Sequence, residues 1–318
     1  MSEKRFPRCI LATCLIPWDE KGRLLEGLFR EQIKLNLRQT PHLYVMGTAG
    51  EGYALSEPQF EEIVGIFTSE MKAANADPMV GIISLSVPEV HRRIEMAQAE
   101  GVNLFQVSLP SWGPCTEAEI FTFFDEICGR HPDCRFLHYN LLRSRVLVTP
   151  AQYRRIADKH PNLVATKNMT DSIGTLTLLL QATPQVQHFL SDVSLAYGCQ
   201  LGECGQLISI ASCNWDTAQR YFELCVKGDI AAARDLQADL VNMTADLHAL
   251  VDPYNHMDGG FDKMFARLHQ PSFPLRLLPP YHCVPDEIFE RFRLLLKEKY
   301  PRWYPHADAG AGSAGRMT

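Results

Sequence analysis

Two short apolar runs decide the fold and the chemistry of this chain: Phe136-Leu137-His138-Tyr139-Asn140 and Asn162-Leu163-Val164-Ala165-Thr166-Lys167-Asn168. Both are typical of buried β-strands, and a helix-like interval separates them. Each ends on a reactive side chain, the phenol of Tyr139 and the amine of Lys167. Because burial disfavours the charged form, an amine at the end of an apolar strand has a lowered pKa and can attack a carbonyl carbon. A phenol beside it can move the protons that this condensation requires.

The alternation of strand and helix continues through the rest of the chain. Further strands are predicted at residues 9–13, 43–47, 79–83, 104–107, 188–190 and 207–210. Cap and first-turn signals that start helices lie between them, at Ser56-Glu57-Pro58, Thr116-Glu117-Ala118-Glu119 and Thr149-Pro150. Eight strand–helix units over roughly 230 residues predict a (β/α)₈ barrel. A doubly wound sheet is disfavoured, because it tends to need fewer strands and a nucleotide-binding glycine loop, and no such motif occurs.

We expect three parts along the chain. Residues 1–228 would form the barrel, residues 229–304 a C-terminal helical extension, and residues 305–318 a disordered tail. The tail is rich in glycine, alanine and serine and has no hydrophobic period.

Composition limits the kinds of partner. A net charge of −6 makes general attraction to nucleic acid or anionic lipid unfavourable. No apolar run approaches the ~20 residues of a membrane span, and Pro7 and Arg8 interrupt any signal peptide. We therefore expect a cytoplasmic protein with no membrane partner. Its ten cysteines include no C-x-x-C pair, so we interpret them as reduced thiols, mostly packed in the core, and expect no zinc site.

Polar clusters follow several predicted strands, where a barrel of this kind places its chemistry. Gly47-Thr48-Ala49-Gly50-Glu51 could be a tight turn, or a turn whose amides and Thr48 hydroxyl hold a carboxylate. Glu51 is interpreted as a structural hydrogen-bonding carboxylate. Arg143 and Arg145 could grip a second acidic group of a substrate or could lie in a solvated loop. Trp112 could anchor packing or fill a subunit interface.

Together these motifs resemble the dihydrodipicolinate synthase/N-acetylneuraminate lyase family. Gly47-Thr48-Ala49-Gly50-Glu51, followed by Leu55-Ser56-Glu57, is similar to the G-T-T-G-E…L-[ST]-x-x-E signature of that family. Tyr139-Asn140 and Lys167 match its Y-N and I-K motifs at the expected separation. The resemblance extends from about Cys9 to the C-terminal helices near Trp303.

The resemblance implies a Schiff-base-forming aldolase or lyase, usually a homotetramer built as a dimer of dimers, that needs no metal and no organic cofactor. Lys167 would form an imine with a small 2-oxo acid such as pyruvate, Tyr139 would shuttle protons, and Thr48 would join the relay. The turn at Gly47, Thr48 and Ala49 would hold the substrate carboxylate. We further assign Ile208 and Arg145 to substrate binding, and Trp112 falls where many relatives place an interface aromatic.

The departures from the family pattern concern the substrate. Ala49 replaces a threonine or serine, Leu142 replaces a proline, and Ser144 stands where the lysine-biosynthesis synthases use an arginine. The chain is therefore not expected to be the typical synthase of lysine biosynthesis. Two alternatives stay open: a hydro-lyase acting on a deoxy-keto sugar acid, and a non-catalytic homologue that binds a small acid.

Overall fold

The computed structural model describes residues 5–170, 172–254 and 257–305. Within these ranges eight parallel strands close into a barrel in the order of the sequence, so the predicted (β/α)₈ fold is confirmed. The strands are β1 Ile10–Cys14, β2 Leu43–Val45, β3 Met79–Gly81, β4 Leu104–Val107, β5 Arg135–Asn140, β6 Leu163–Asn168, β7 Gln187–Leu190 and β8 Cys204–Leu207.

Eleven α-helices are found in the same described ranges. They are α1 Glu26–Leu37, α2 Glu57–Ala73, α3 Val87–Ala99, α4 Glu117–Phe124, α5 Pro150–Lys159, α6 Ile173–Ala182, α7 Leu195–Leu201, α8 Trp215–Lys227, α9 Ile230–Val251, α10 Asp258–His269 and α11 Asp286–Lys299. The last three follow the barrel, and α9 packs against α8 and α11. The division of the chain at residue 228 stays a prediction, and residues 306–318 of the predicted tail lie outside the described residues.

Helix starts follow the local chemistry of the sequence. At α4 the amide of Thr116 donates to Glu119 Oε2 at 2.7 Å, and the Glu119 amide donates back to the Thr116 hydroxyl. The same reciprocal pair forms between Thr149 and Gln152 at the start of α5. These capping boxes satisfy amides that have no partner inside the helix. The cap predicted at Thr116 is therefore confirmed.

Apolar side chains fill the N-terminal end of the barrel. Phe6 lies across this end, its amide donating to the Val164 carbonyl at 3.1 Å and its ring meeting the edge of Phe189. Alternate residues of the strands complete this inner cluster, among them Leu11, Met79, Leu104, Leu137 and Leu207. The open space of the barrel therefore lies at the C-terminal ends of the strands.

The strands predicted at 43–47 and 79–83 are shorter and end at Val45 and Gly81, and the eighth strand is displaced along the chain. The eighth strand occupies Cys204–Leu207, three residues before the predicted run at 207–210, and Ile210–Cys213 forms a 3₁₀ turn. The apolar character of residues 207–210 suggested a strand, but Ser209 leaves the extended conformation. The true strand contains Gly205, where a Cβ would approach the Cys9 carbonyl oxygen to 2.9 Å. The close approach of the neighbouring backbone requires glycine at position 205. Because glycine is uncommon within strands, the apolar pattern did not indicate a strand there.

The outer faces of the strands pack against the helices. His138 is buried, and its Nδ1 lies 2.7 Å from the Tyr153 hydroxyl on α5, so the prediction that His138 packs away from the site is confirmed. Within the described ranges, no helix is both long and apolar enough to span a lipid bilayer.

Candidate active site

A cavity of about 460 Å³ opens at the C-terminal ends of the strands. Its wall includes four residues that the sequence singled out as chemical or substrate-binding: Thr48, Ala49, Tyr139 and Lys167, with Ile208 beside them. They come from the ends of β2, β5, β6 and β8, which are far apart in the sequence. The parallel barrel brings them together because all its strands end at one face.

Lys167 projects into this cavity from β6. Tyr139 is its partner in the register of β5 and β6, so both side chains point to the barrel interior. Lys167 is 5% exposed, and its Nζ lies 4.9 Å from the centre of the Tyr139 ring. Burial lowers the pKa of Lys167, and nearby Tyr44 and Asp192 partly oppose that effect. A lowered pKa increases the fraction of neutral amine, which is the nucleophilic form.

A second phenol, which the sequence analysis did not identify, shares the cavity. Tyr44 of β2 is buried, and burial raises its pKa, as it does for Tyr139. The ring of Tyr44 leaves no room for a side chain at position 47, because a Cβ on Gly47 would come within 2.4 Å of Tyr44 Cε2. The alternation within Leu43-Tyr44-Val45 could have indicated that Tyr44 points inward, as Tyr139 does. Gly47 itself is not part of the cavity lining.

The turn after β2 is held by a buried carboxylate. Met46 and Glu51 both adopt positive φ angles, 63° and 54°, at the two ends of the turn. Glu51 accepts hydrogen bonds from Trp18 Nε1 at 3.0 Å, from the Lys263 ammonium at 2.6 Å and from the Leu278 amide at 2.7 Å. The structural role predicted for Glu51 is confirmed. The turn is thereby fixed to the C-terminal helices while Thr48 and Ala49 face the cavity.

Three acidic side chains, which the sequence analysis missed, form the remaining wall of the cavity. Asp192 follows β7, and Asp258 and Asp262 lie on α10. Their presence could have been inferred in part, because Asp192 comes two residues after a strand end and the other two are spaced i, i+4 on a helix. We refer to Asp192, Asp258 and Asp262 as the acid wall.

Hydrogen bonds connect two members of the acid wall, Asp192 and Asp262, to the segment that follows β8. Asp192 Oδ2 accepts from the amides of Ser209 and Ala211, both at 3.0 Å. The Ser209 hydroxyl donates to Asp262 Oδ1 at 3.0 Å. Burial raises the pKa of both carboxyls, and that of Asp262 reaches about 7. Asp262 can therefore hold or release a proton near neutral pH.

The remaining candidates lie at the rim or outside the cavity. Arg143 Nη2 lies 2.8 Å from Asp258 Oδ1, so this guanidinium is paired with the acid wall. Arg145 takes a left-handed conformation after a 3₁₀ turn and does not line the cavity. Trp112 is 84% exposed and does not line the cavity, and its place at a subunit interface stays a prediction. Across the described ranges, no cluster of three or more His, Cys, Asp or Glu side chains could hold a metal ion.

The fold and the site define a (β/α)₈-barrel protein with a buried amine, two phenols and an acid wall at its mouth. The Dihydrodipicolinate synthetase family model matches residues 6–255, and the chain belongs to that family, whose members are lyases and aldolases. The chain is 23% identical over 234 residues to 4-hydroxy-tetrahydrodipicolinate synthase of Hydrogenobaculum sp. (strain Y04AAS1), covering 73% of this chain and 80% of that protein.

One further relative and one solved structure are similar to this chain. The chain is 24% identical over 236 residues to N-acetylneuraminate lyase of Actinobacillus pleuropneumoniae serotype 3 (strain JL03), covering 72% of this chain and 78% of that protein. The crystal structure of YagE, a prophage protein from E. coli K12 in complex with pyruvate, superposes with a TM-score of 0.80 at 18% identity. That match covers 91% of this chain and 97% of YagE, and it shows the shared fold.

Proposed function

We propose that this protein is a Schiff-base lyase or aldolase that acts on a 2-oxo acid, or on its aldol adduct, through an imine at Lys167. The observation that carries the proposal is a buried amine with a lowered pKa, facing Tyr139 inside an open cavity. The pyruvate bound in YagE supports a small 2-oxo acid as one half of the substrate.

The chemistry begins with attack of neutral Lys167 on the C2 carbonyl carbon. A proton delivered through Tyr139 lets the carbinolamine lose its hydroxyl as water, which leaves a protonated imine. The imine draws electrons from the C3–C4 bond, and this bond breaks as the proton of the 4-hydroxyl passes to Tyr139, which lost its own proton in the preceding step and can return this one to C3 of the enamine. An aldehyde leaves, and the remaining enamine is protonated at C3. Water then hydrolyses the imine, which releases the 2-oxo acid and restores Lys167.

The carboxylate of the substrate would lie against the turn after β2. Thr48 offers a hydroxyl there, while Ala49 contributes no side-chain donor. We propose that Thr48 and the backbone of this turn orient the carboxylate and place C2 within reach of Lys167.

The acid wall indicates the chemistry of the other half of the substrate. Carboxylates repel a second anionic group and accept hydrogen bonds from hydroxyls, and Arg143 is engaged by Asp258. Arg145 lies outside the lining. We therefore propose a hydroxylated, uncharged aldehyde portion, as in a sugar-acid-like substrate.

A hydro-lyase is the second candidate, and Asp262 favours it. A carboxyl with a pKa of about 7 in the cavity could protonate a departing hydroxyl group of a deoxy-keto sugar acid. A non-catalytic homologue that only binds a small acid is the third candidate, and Ala49 and Leu142 are the departures that favour it.

Borohydride reduction in the presence of pyruvate tests the imine. We expect a covalent adduct on Lys167, located by peptide mass spectrometry, and its loss in Lys167→Ala. Lys159→Ala is the matched control, since its amine is exposed on α5 and should leave the adduct unchanged. If no 2-oxo acid gives an adduct, or if the Lys167→Ala protein still gives one, the proposed mechanism is wrong.

Product analysis separates the three candidates. A panel of 4-hydroxy-2-oxo acids and deoxy-keto sugar acids should yield an aldehyde and pyruvate from the aldolase. Loss of water without an aldehyde would identify the hydro-lyase. An adduct with no turnover of any member would favour the non-catalytic homologue.

We also propose a homotetramer in which Trp112 lies at a subunit boundary. Its large exposed indole supports this placement. Sedimentation should give a smaller species for Trp112→Ala than for the unsubstituted chain, and an unchanged mass would exclude Trp112 from the interface.

A further inference from the structure

A pair of cysteines lies at the end of the barrel opposite the cavity. Cys199 is in the last turn of α7, and Cys204 is the first residue of β8. Their Sγ atoms are 3.6 Å apart. Since a disulfide requires about 2.05 Å between sulfurs, an approach of about 1.5 Å would join them. Cys204 is fully buried, whereas Cys199 is half-buried, so Cys199 is the more accessible residue of the pair.

A guanidinium fixes this pair from the segment before β1. Arg8 Nη2 donates to Cys199 Sγ at 3.2 Å, and Arg8 Nε donates to the Cys204 carbonyl at 3.0 Å. The second bond anchors the cation, so its contact with the Cys199 sulfur does not depend on a freely moving side chain. A cation held against a sulfur stabilises the thiolate, which is the reactive form of cysteine.

The two sulfurs are chemically unequal. The hydrogen bond from Cys204 lowers the pKa of Cys199, and Arg8 adds to that effect against the opposing effect of burial. The same hydrogen bond and burial raise the pKa of Cys204. Cys225 of α8 also faces the pair, and its pKa is raised by burial. The neighbouring Arg5 is paired with Glu203 at 3.2 Å.

We propose that Cys199 and Cys204 form a peroxide-reactive dithiol, in which Cys199 is the attacking sulfur and Cys204 the resolving one. The product is a reversible disulfide that joins the end of α7 to the start of β8. The proposal assigns a modification site outside the cavity and is independent of the imine chemistry.

The oxidation balances with one peroxide per pair. The Cys199 thiolate attacks one oxygen of hydrogen peroxide, the O–O bond breaks, and hydroxide leaves, which gives a sulfenic acid. The Cys204 sulfur then attacks the sulfenyl sulfur, so an S–S bond forms and the S–O bond breaks. The departing hydroxide takes the Cys204 proton and leaves as water. Two thiols are oxidised by two electrons, and the peroxide is reduced to water.

Peroxide treatment of the folded protein, followed by alkylation and peptide mass spectrometry, tests the pairing. We expect a Cys199–Cys204 disulfide that dithiothreitol reverses. Cys283, which is exposed on the surface, serves as the internal comparator and should be oxidised more slowly. In Cys204→Ser, the Cys199 sulfenic acid should persist and be trapped by a dimedone probe. A Cys199–Cys225 disulfide, or faster oxidation of Cys283 than of Cys199, would overturn the proposal.

The pH dependence of iodoacetamide labelling tests whether Cys199 is an activated thiolate and whether Arg8 activates it. The first part of the test uses the unsubstituted protein and the second uses a variant. In the unsubstituted protein, the midpoint for labelling of Cys199 should lie about one pH unit below the ordinary value of a free thiol, about 8.5. Arg8→Met should slow labelling of Cys199 at neutral pH about 3-fold or more, while Cys283 keeps its rate. A midpoint for Cys199 at or above the value of a free thiol in the unsubstituted protein would refute the activated thiolate, whether or not the Arg8 variant folds.

Discussion

Removal of the Glu51 carboxylate should be one of the most destabilising single changes in the chain. Glu51 Oε1 and Lys263 Nζ are 2.6 Å apart, and neither side chain has any exposed surface. In Glu51→Gln, the Lys263 ammonium would be left buried without its counter-charge. Loss of one partner of a buried ion pair costs about 3–5 kcal/mol, because the remaining charge is uncompensated. The amide that replaces the carboxylate keeps only one acceptor oxygen, so either Trp18 Nε1 or the Leu278 amide also loses its acceptor. This loss places the expected cost in the upper half of that range.

Urea unfolding at neutral pH measures this cost. Glu62→Gln on the exposed face of α2 is the matched control and should change the free energy of unfolding by less than about 0.5 kcal/mol. Lys263→Met and the double variant complete a cycle, in which the double variant should lose about 1–3 kcal/mol less than the sum of the single losses. A Glu51→Gln protein within about 1 kcal/mol of the unsubstituted chain would refute the uncompensated-charge argument.

Three further outcomes follow from the site and the barrel. Tyr139→Phe should slow the proposed imine formation with pyruvate about 100-fold or more, measured by single-turnover borohydride trapping, because the phenol proposed as the proton shuttle is lost. Asp262→Asn should remove a pH dependence of stability: the folded carboxyl keeps its proton up to about pH 7, whereas the unfolded one releases it near 3.8. The stability of the unsubstituted chain relative to this variant should thus fall by up to about 4 kcal/mol between about pH 4 and pH 8 in urea titrations. Gly81→Ala would place a Cβ 2.2 Å from the Met46 carbonyl oxygen. The free energy of unfolding, measured by thermal denaturation, should therefore fall by about 1–3 kcal/mol or more.

The sequence was sufficient for the parts of the fold that depend on local chemistry. Strand ends such as Lys167 and caps such as Thr116 follow from apolar runs and side-chain hydrogen bonds within a few residues. The predicted position of the eighth strand was wrong. Its true position depends on the contact between Gly205 and the backbone of Cys9, which is distant in sequence and cannot be inferred from hydrophobic periodicity. The alternation of strands and helices then predicts that Thr48, Tyr139 and Lys167 lie together at the C-terminal end of the barrel. All three line the same cavity in the structure.

Barrel topology could indicate Asp192, which follows a strand, but it could not place the other two members of the acid wall at the mouth. Asp258 and Asp262 lie on a helix of the extension, and no rule of barrel topology says which helix covers the mouth. Arg143 and Arg145 illustrate the same limit. Ser144 separates them in the sequence, and neither lines the cavity. Arg143, within a 3₁₀ turn, pairs with Asp258 of the acid wall, whereas Arg145 follows that turn in a left-handed conformation.

Helix α10 connects the two halves of the proposed substrate site. Lys263 holds Glu51 and so fixes the turn that presents Thr48, while the preceding residue, Asp262, belongs to the acid wall. Ser209 links Asp262 to Asp192 through its hydroxyl and its amide. One helix therefore positions both the turn proposed to bind the carboxylate and the wall proposed to bind hydroxyls. Because both contacts are buried, any shift of α10 would alter both ends of the cavity at once, and the extension is part of the site's architecture.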